Sequence, residues 1–259
     1  MNARSQRWCA WAGPAFLVSW GIGFCLLAGF IPPPTPNDTP AELLRMFQAD
    51  PGRIRLGLVI SMFGSVLLLP WGAVLTVQMK RIEGRSAPLA YTQLAAAAAG
   101  AVFLTFPVMY LQIASFRLDR SPELIQLMND MFWVPFIGVP ALVNLQTLAI
   151  GLAILQDRRE RPVFPRWAGY LNVWACIVIL PAGVMVFFKD GPFAWNGLFA
   201  WWLPLAAFVI WFAVMLRMLL NAVAQEEPEP EPVSRADHDA LVAQVAALRT
   251  QVGGVTEPA

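Results

Sequence analysis

Side chains suited to catalysis or ion binding are scarce in this chain, and those that qualify gather near two polar links. Arg117, Asp119, Arg120 and Glu123 lie between two apolar runs, and Lys189 and Asp190 lie between two later ones. Converging on one point, such charges would polarise a carbonyl or hold an ion; apart, they are solvated loop charges. Tyr110, Gln112, Trp195 and Asn196 flank the same links and are expected to line a vestibule, with Arg117, Asp119, Arg120, Lys189 and Asp190 ringing its mouth. Deeper in the apolar runs stand two amides, Gln146 and Asn172. At about 1.5 Å of helical rise per residue, both lie roughly 21–22 Å from one face of a hydrocarbon core about 30 Å thick. A shared level predicts an amide pair that glues two helices together.

What the runs lack excludes whole chemistries. Their middles hold no Asp, Glu, Lys, Arg or His, and the single histidine, His238, lies in the tail. Buried proton relays, axial haem ligands, paired zinc ligands and a histidine-activated nucleophile all need such groups. The expectation is a chain with no catalytic residue, no metal site and no cofactor, and hence not an enzyme. Cys9, Cys25 and Cys176 have neither disulfide nor metal spacing and read as inert thiols.

The elements that must position these residues are membrane helices. The chain has 259 residues, 58% of them hydrophobic and 14% charged, more apolar surface than one soluble core can hide. Six runs reach the roughly 20 residues that a membrane helix needs: about 10–31, 54–79, 89–115, 132–156, 167–188 and 197–220. The fold class expected is an all-α polytopic bundle of six transmembrane helices. The basic links 80–88 and 156–166, with Arg4 and Arg7 at the start, place both termini in the cytoplasm by the positive-inside rule. The net charge of +1 carries no information about partners.

Two outward links each predict a short helix. Thr39 can cap the first, with Pro40 at its first position and Glu42 bonding back. Ser121 and Pro122 open the second. ELLRMF (42–47) and ELIQLM (123–128) lie 81 residues apart, an offset that carries the first hairpin onto the second, as duplication would, or as shared helix-capping chemistry alone would. Small residues at steps of four, Gly21, Cys25 and Gly29 on the first helix and Gly57, Ser61 and Ser65 on the second, predict close approach of backbones. Pro107, Pro140, Pro181 and Pro204 all fall in the outward halves of their helices, where bends would splay the bundle open. Trp8, Trp11 and Trp167 on the inner side, with Trp133, Trp195, Trp201 and Trp202 on the outer, form expected interfacial belts.

Beyond the membrane domain (1–220), residues 221–235 read as an acidic, proline-rich linker, 236–253 as a short amphipathic tail helix and 254–259 as a disordered end. Leu241, Val245, Leu248 and Val252 make a two-heptad seam. The partners expected are membrane lipids and, weakly, a second copy of the chain through 237–252, with no nucleic acid.

The phrases LPWGAVLTVQMKRIEG (69–84), YTQLAAAAAG (91–100), DRSPELIQLMNDMFW (119–133), RPVFPRWAGYLN (161–172) and FFKDGPFAWNGLFAWWLP (187–204) resemble a family of bacterial six-helix integral membrane proteins with no assigned activity. The resemblance covers about residues 10 to 220. It implies a location in the bacterial cytoplasmic membrane and transfers no catalytic or ligand residue. Together these observations lead to the expectation of a membrane protein that binds or passes a small apolar or lipid-like molecule in an outward-facing vestibule. The alternative is a structural or assembly protein acting through its outward helices and tail.

Overall fold

The computed structural model of the protein describes residues 3–226, 240 and 242–248. Six helical segments within it are long and apolar enough to cross a membrane: Ala3–Leu27, Pro51–Glu83, Pro88–Phe116, Pro122–Gln156, Arg166–Phe187 and Leu198–Ala224. The chain is a multi-pass membrane protein. The helices are α1 (Ala3–Trp20), α2 (Pro40–Ala49), α3 (Pro51–Ser65), α4 (Leu68–Glu83), α5 (Pro88–Phe116), α6 (Pro122–Gly138), α7 (Ala141–Gln156), α8 (Arg166–Ile179) and α9 (Leu203–Ala224). Several begin with proline because the first turn has no acceptor for its amides and proline lacks one to offer.

Only α5 crosses without interruption. The first span changes to a π-helix at Gly21–Leu27, and the last begins as one at Leu198–Trp202. α3 and α4 are separated at Val66–Leu67; Pro70, three residues on, has no N–H to bond back to Val66. α6 and α7 part at Val139–Pro140, and α8 tightens to a 3₁₀ helix at Leu180–Phe187, where Pro181 sits.

One end of the bundle is tied by polar side chains. Gln6 Nε2 donates to Glu226 Oε2 (2.6 Å), Gln78 Nε2 to Gln6 Oε1 (2.6 Å), and Arg81 Nη1 to Gln78 Oε1 (2.5 Å) and to the Ala222 carbonyl (2.8 Å). The start of the first span and the ends of the second and sixth therefore meet. At the opposite end, Asn37 donates to Asp190, Gln126 to the Asp38 carbonyl (3.1 Å) and Trp195 Nε1 to the Pro34 carbonyl (2.7 Å).

α2 lies at this second end. Its capping box forms as expected: Thr39 Oγ1 accepts from the Glu42 amide, and the Glu42 carboxylate accepts from the Thr39 amide at 2.8 Å. Leu43 and Phe47 are buried, so the helix is pressed onto the bundle by its apolar face. The second short helix does not stand alone. SPELIQLMND is the first part of α6, which runs unbroken to Gly138, and the Ser121 side chain makes no cap bond. Nothing between Pro122 and Gly138 stops a helix; Pro135 lies within it. At the tail side, α9 continues to Ala224 and takes the first positions of the expected linker. Residues 242–248 are helical, with Val242, Val245 and Leu248 exposed; linker residues 227–235, the tail seam at Leu241 and Val252, and 254–259 lie outside the described residues.

The α7–α8 link carries one titration effect outside the spans. Burial alone would raise the Asp157 carboxyl. Hydrogen bonds from the Arg159 guanidinium (2.9 Å to each oxygen) and from the Val163 and Arg159 amides (3.0 and 3.2 Å) outweigh it and hold Asp157 below its ordinary range. A depressed folded pKa gives stability that is complete above the unfolded value, near 4, and is lost as pH falls through the folded value. The thermal midpoint of wild type minus that of Asp157→Asn is thus expected to be constant from about pH 7 to about 5 and to shrink below about 4. A difference independent of pH would show that the ion pair is idle.

Candidate functional site

Midway along the bundle is a cavity of about 150 Å³, walled by α4, α5, the end of α6, α7, α8 and α9 and by the segments where the spans break. The interruptions shape it. Pro140 and Pro204 are in its wall, and Ala182, next to Pro181, is another part. Where a proline removes a backbone bond, the next half-helix leaves at a new angle and neighbouring side chains no longer close ranks. Pro107 sits inside the continuous α5 and is not in the wall.

The lining is aromatic and small. Trp71, Phe136, Phe208, Trp211 and Phe212 supply rings, and Ala96, Ala97 and Gly100 on α5 supply the space between them. A Cβ placed on Gly100 would meet nothing within 4 Å, so the missing side chain is part of the void. Gln146 and Thr147 are the polar contributors. Thr147 Oγ1 bonds within its own helix, 2.9 Å from the Val143 carbonyl. The rim at Gly100, Val143 and Gln146 is half-buried, and Val139 beside it is 44% exposed.

Above the cavity, toward α2, the interior is closed by stacked rings. Trp20 stacks on Phe136 (5.5 Å between centroids), Phe24 on Phe30 (5.1 Å), and Phe132 packs edge-on to Trp133 at 4.8 Å. Trp133 in turn meets Trp195 and Trp201. Space under α2 is therefore filled, and Trp133, Trp195 and Trp201, expected in an interfacial belt, are buried core residues. Trp8, Trp11 and Trp167 are exposed, as an interfacial position requires.

The four expected vestibule residues do not meet. Trp195 is buried and bonded to Pro34; Gln112 Nε2 donates to the Arg55 carbonyl (3.3 Å); Tyr110 borders a separate surface depression with Asp130; Asn196 is half-buried beside Trp195. None of them lines the mid-bundle cavity. Of the expected mouth charges, Arg117, Asp119, Lys189 and Asp190 are exposed, Arg120 is half-buried, and Asp190 accepts from Asn37. Among the described residues no ion pair joins them.

Asn172 and Gln146 are also apart. Asn172 Oδ1 accepts from Trp211 Nε1 (2.8 Å) and its Nδ2 donates to the Ala168 carbonyl (2.8 Å). A Cβ on Gly151 would lie 3.2 Å from Asn172 Cβ, which puts Asn172 level with Gly151, roughly 7 Å along α7 from Gln146. The fourth span begins at Pro122 and is interrupted at Pro140, so depth counted from residue 132 misplaces Gln146.

No family model, curated protein or solved structure matches the chain. The resemblance of its phrases to a bacterial membrane family thus brings no assignment, and the cavity is the feature that bears on function.

Proposed function

We propose that the protein is a non-enzymatic binder of a small, uncharged, apolar or lipid-like molecule, held in the mid-bundle cavity and reached from the lipid through the rim at Gly100 and Val139. The observation that carries the reading is the cavity: about 150 Å³, aromatic and without a charged side chain in its wall. A largely apolar cavity of about 150 Å³ is large enough for a benzene-sized guest. The basic links at the Gln6 end support a topology with both termini in the cytoplasm, which puts α2 outside. Of the segments on which the assembly reading rests, α2 uses its apolar face on its own bundle, while Leu124 and Leu127 at the start of α6 are exposed.

Gly100→Leu tests the reading. A leucine there grows into open space and replaces a poor helix former by a good one, so the fold is expected to be as stable as wild type or more so. Binding of 4-fluoro-α-methylstyrene to protein in lipid nanodiscs, followed by fluorine NMR against empty nanodiscs, is expected to weaken at least about tenfold, ~1.4 kcal/mol. Equal binding by the variant and wild type would overturn the reading.

A further inference from the structure

The bundle interior has hydrogen-bond donors that nothing accepts. Among the described residues, Trp71 Nε1, Gln93 Nε2, Asn129 Nδ2 and Trp201 Nε1 are buried without a partner, against two unpartnered acceptors, Asn144 Oδ1 and Glu226 Oε1. The second of these belongs to the Gln6 end of the bundle. A buried N–H without an acceptor is costly and uncommon in a folded protein.

Trp71 is the donor that belongs to the cavity: it is wholly buried and forms part of the wall. The six-membered ring of its indole abuts α1, since a Cβ on Gly13 would lie 2.4 Å from Cε3 and 2.7 Å from Cζ3. α1 thus covers one face of that ring over Cε3, and the Nε1 edge is not part of the contact. Trp211 and Phe212, two other wall residues, pack against the same ring at 6.0 and 5.0 Å. The Trp211 N–H already has Asn172 as its acceptor, which leaves the Trp71 N–H as the indole donor still open. Gln93 lies one turn below Ala96 and Ala97 on α5; its Oε1 is 2.8 Å from Thr76 Oγ1, and its Nε2 is open.

We infer that the ligand of this cavity is a neutral molecule with an apolar body and one carbonyl-type acceptor, as in a ketone, ester or quinone, and that Trp71 Nε1 donates to that oxygen. The inference rests on the mid-bundle binding reading. Neutrality follows from the wall, which offers N–H groups but no Lys, Arg or His to balance a carboxylate or phosphate.

Two probes of one skeleton test it: 4-fluoroacetophenone, with C=O, and 4-fluoro-α-methylstyrene, with C=CH₂ in its place. Their affinities in nanodiscs are each referred to partition into empty nanodiscs. Wild type is expected to hold the ketone about fivefold more tightly than the alkene, Gly100→Leu to lose both, and Trp71→Phe to keep the alkene and hold the ketone no better. Equal binding of the two probes to wild type, with both lost in Gly100→Leu, would overturn the acceptor inference and leave the cavity reading standing. Binding of neither probe to wild type would overturn both. Should Trp71→Phe fail to fold, the carbonyl stretch of the ketone bound to wild type decides. A frequency below that of the ketone in hydrocarbon supports the N–H···O bond, and an unshifted frequency overturns it.

Discussion

Gly57→Val is expected to cost at least about 3 kcal/mol, the upper part of the range for overpacking, and to be the most damaging single change in the bundle. A Cβ on Gly57 would stand 2.3 Å from the Gly23 carbonyl oxygen and 2.6 Å from the Ala28 nitrogen. Both are backbone atoms, so no rotamer change relieves the clash. The contact is mutual: a Cβ on Gly23 would lie 2.5 Å from the Gly57 carbonyl and 2.6 Å from Ser61 Oγ. The Ser61 hydroxyl donates to the Gly57 carbonyl at 2.9 Å, which pins the same surface. Thermal unfolding in detergent measures the loss, and Gly21→Val serves as the control. Gly21 has nothing within 4 Å of its Cβ position, so that variant is expected to stay within about 0.5 kcal/mol of wild type. Equal losses in the two variants would refute the backbone contact.

The same contact shows where sequence reasoning succeeds and where it stops. Gly57 and Ser61 are read correctly as a close-packing face, whereas on the first span the close contact is made by Gly23 and not by Gly21, which has nothing within 4 Å of its Cβ position. The buried face of the first span runs through Ala10, Gly13, Phe16, Trp20 and Gly23 at steps of three and four, which leaves Gly21 off it, and beyond Gly23 the winding widens to a π-helix, with Ala28 N bonded to the Gly23 carbonyl five residues back. Composition does not distinguish a π segment from an α one. The six spans are legible because a length of about 20 apolar residues is a physical requirement of the bilayer, whereas their ends, at Ala3, Pro51 and Pro122, fall in polar stretches that helix-start chemistry draws into the helix.

The site divides in the same way. Prolines at 140, 181 and 204 signal bent, separated helices, and the cavity forms beside them. That loop aromatics such as Trp195 would seal the α2 end depends on ring packing among Phe24, Phe132, Trp133 and Trp201, residues far apart in sequence. One signal was available for the cavity itself. Gly100 interrupts the run LAAAAAGAV, where a glycine weakens a helix unless its missing side chain has a use.

Asn172→Leu is the second large effect expected, a loss of about 2 kcal/mol. Asn172 is fully buried in α8, and its Oδ1 is the acceptor of the Trp211 indole N–H from α9. A leucine fills much of the same volume, so packing survives; what it leaves behind is a buried N–H with no acceptor, and that orphan sets the size of the loss. Trp211→Phe removes the orphan, so the double variant is expected to recover about 1 kcal/mol or more relative to the sum of the single changes. Unfolding of the four proteins in detergent closes the cycle, and strict additivity would show that the bond contributes nothing. Trp211 is also part of the cavity wall. Its N–H points to Asn172, which is outside that wall, so the preference of the pocket for the ketone over the alkene probe is expected to be the same in Asn172→Leu as in wild type.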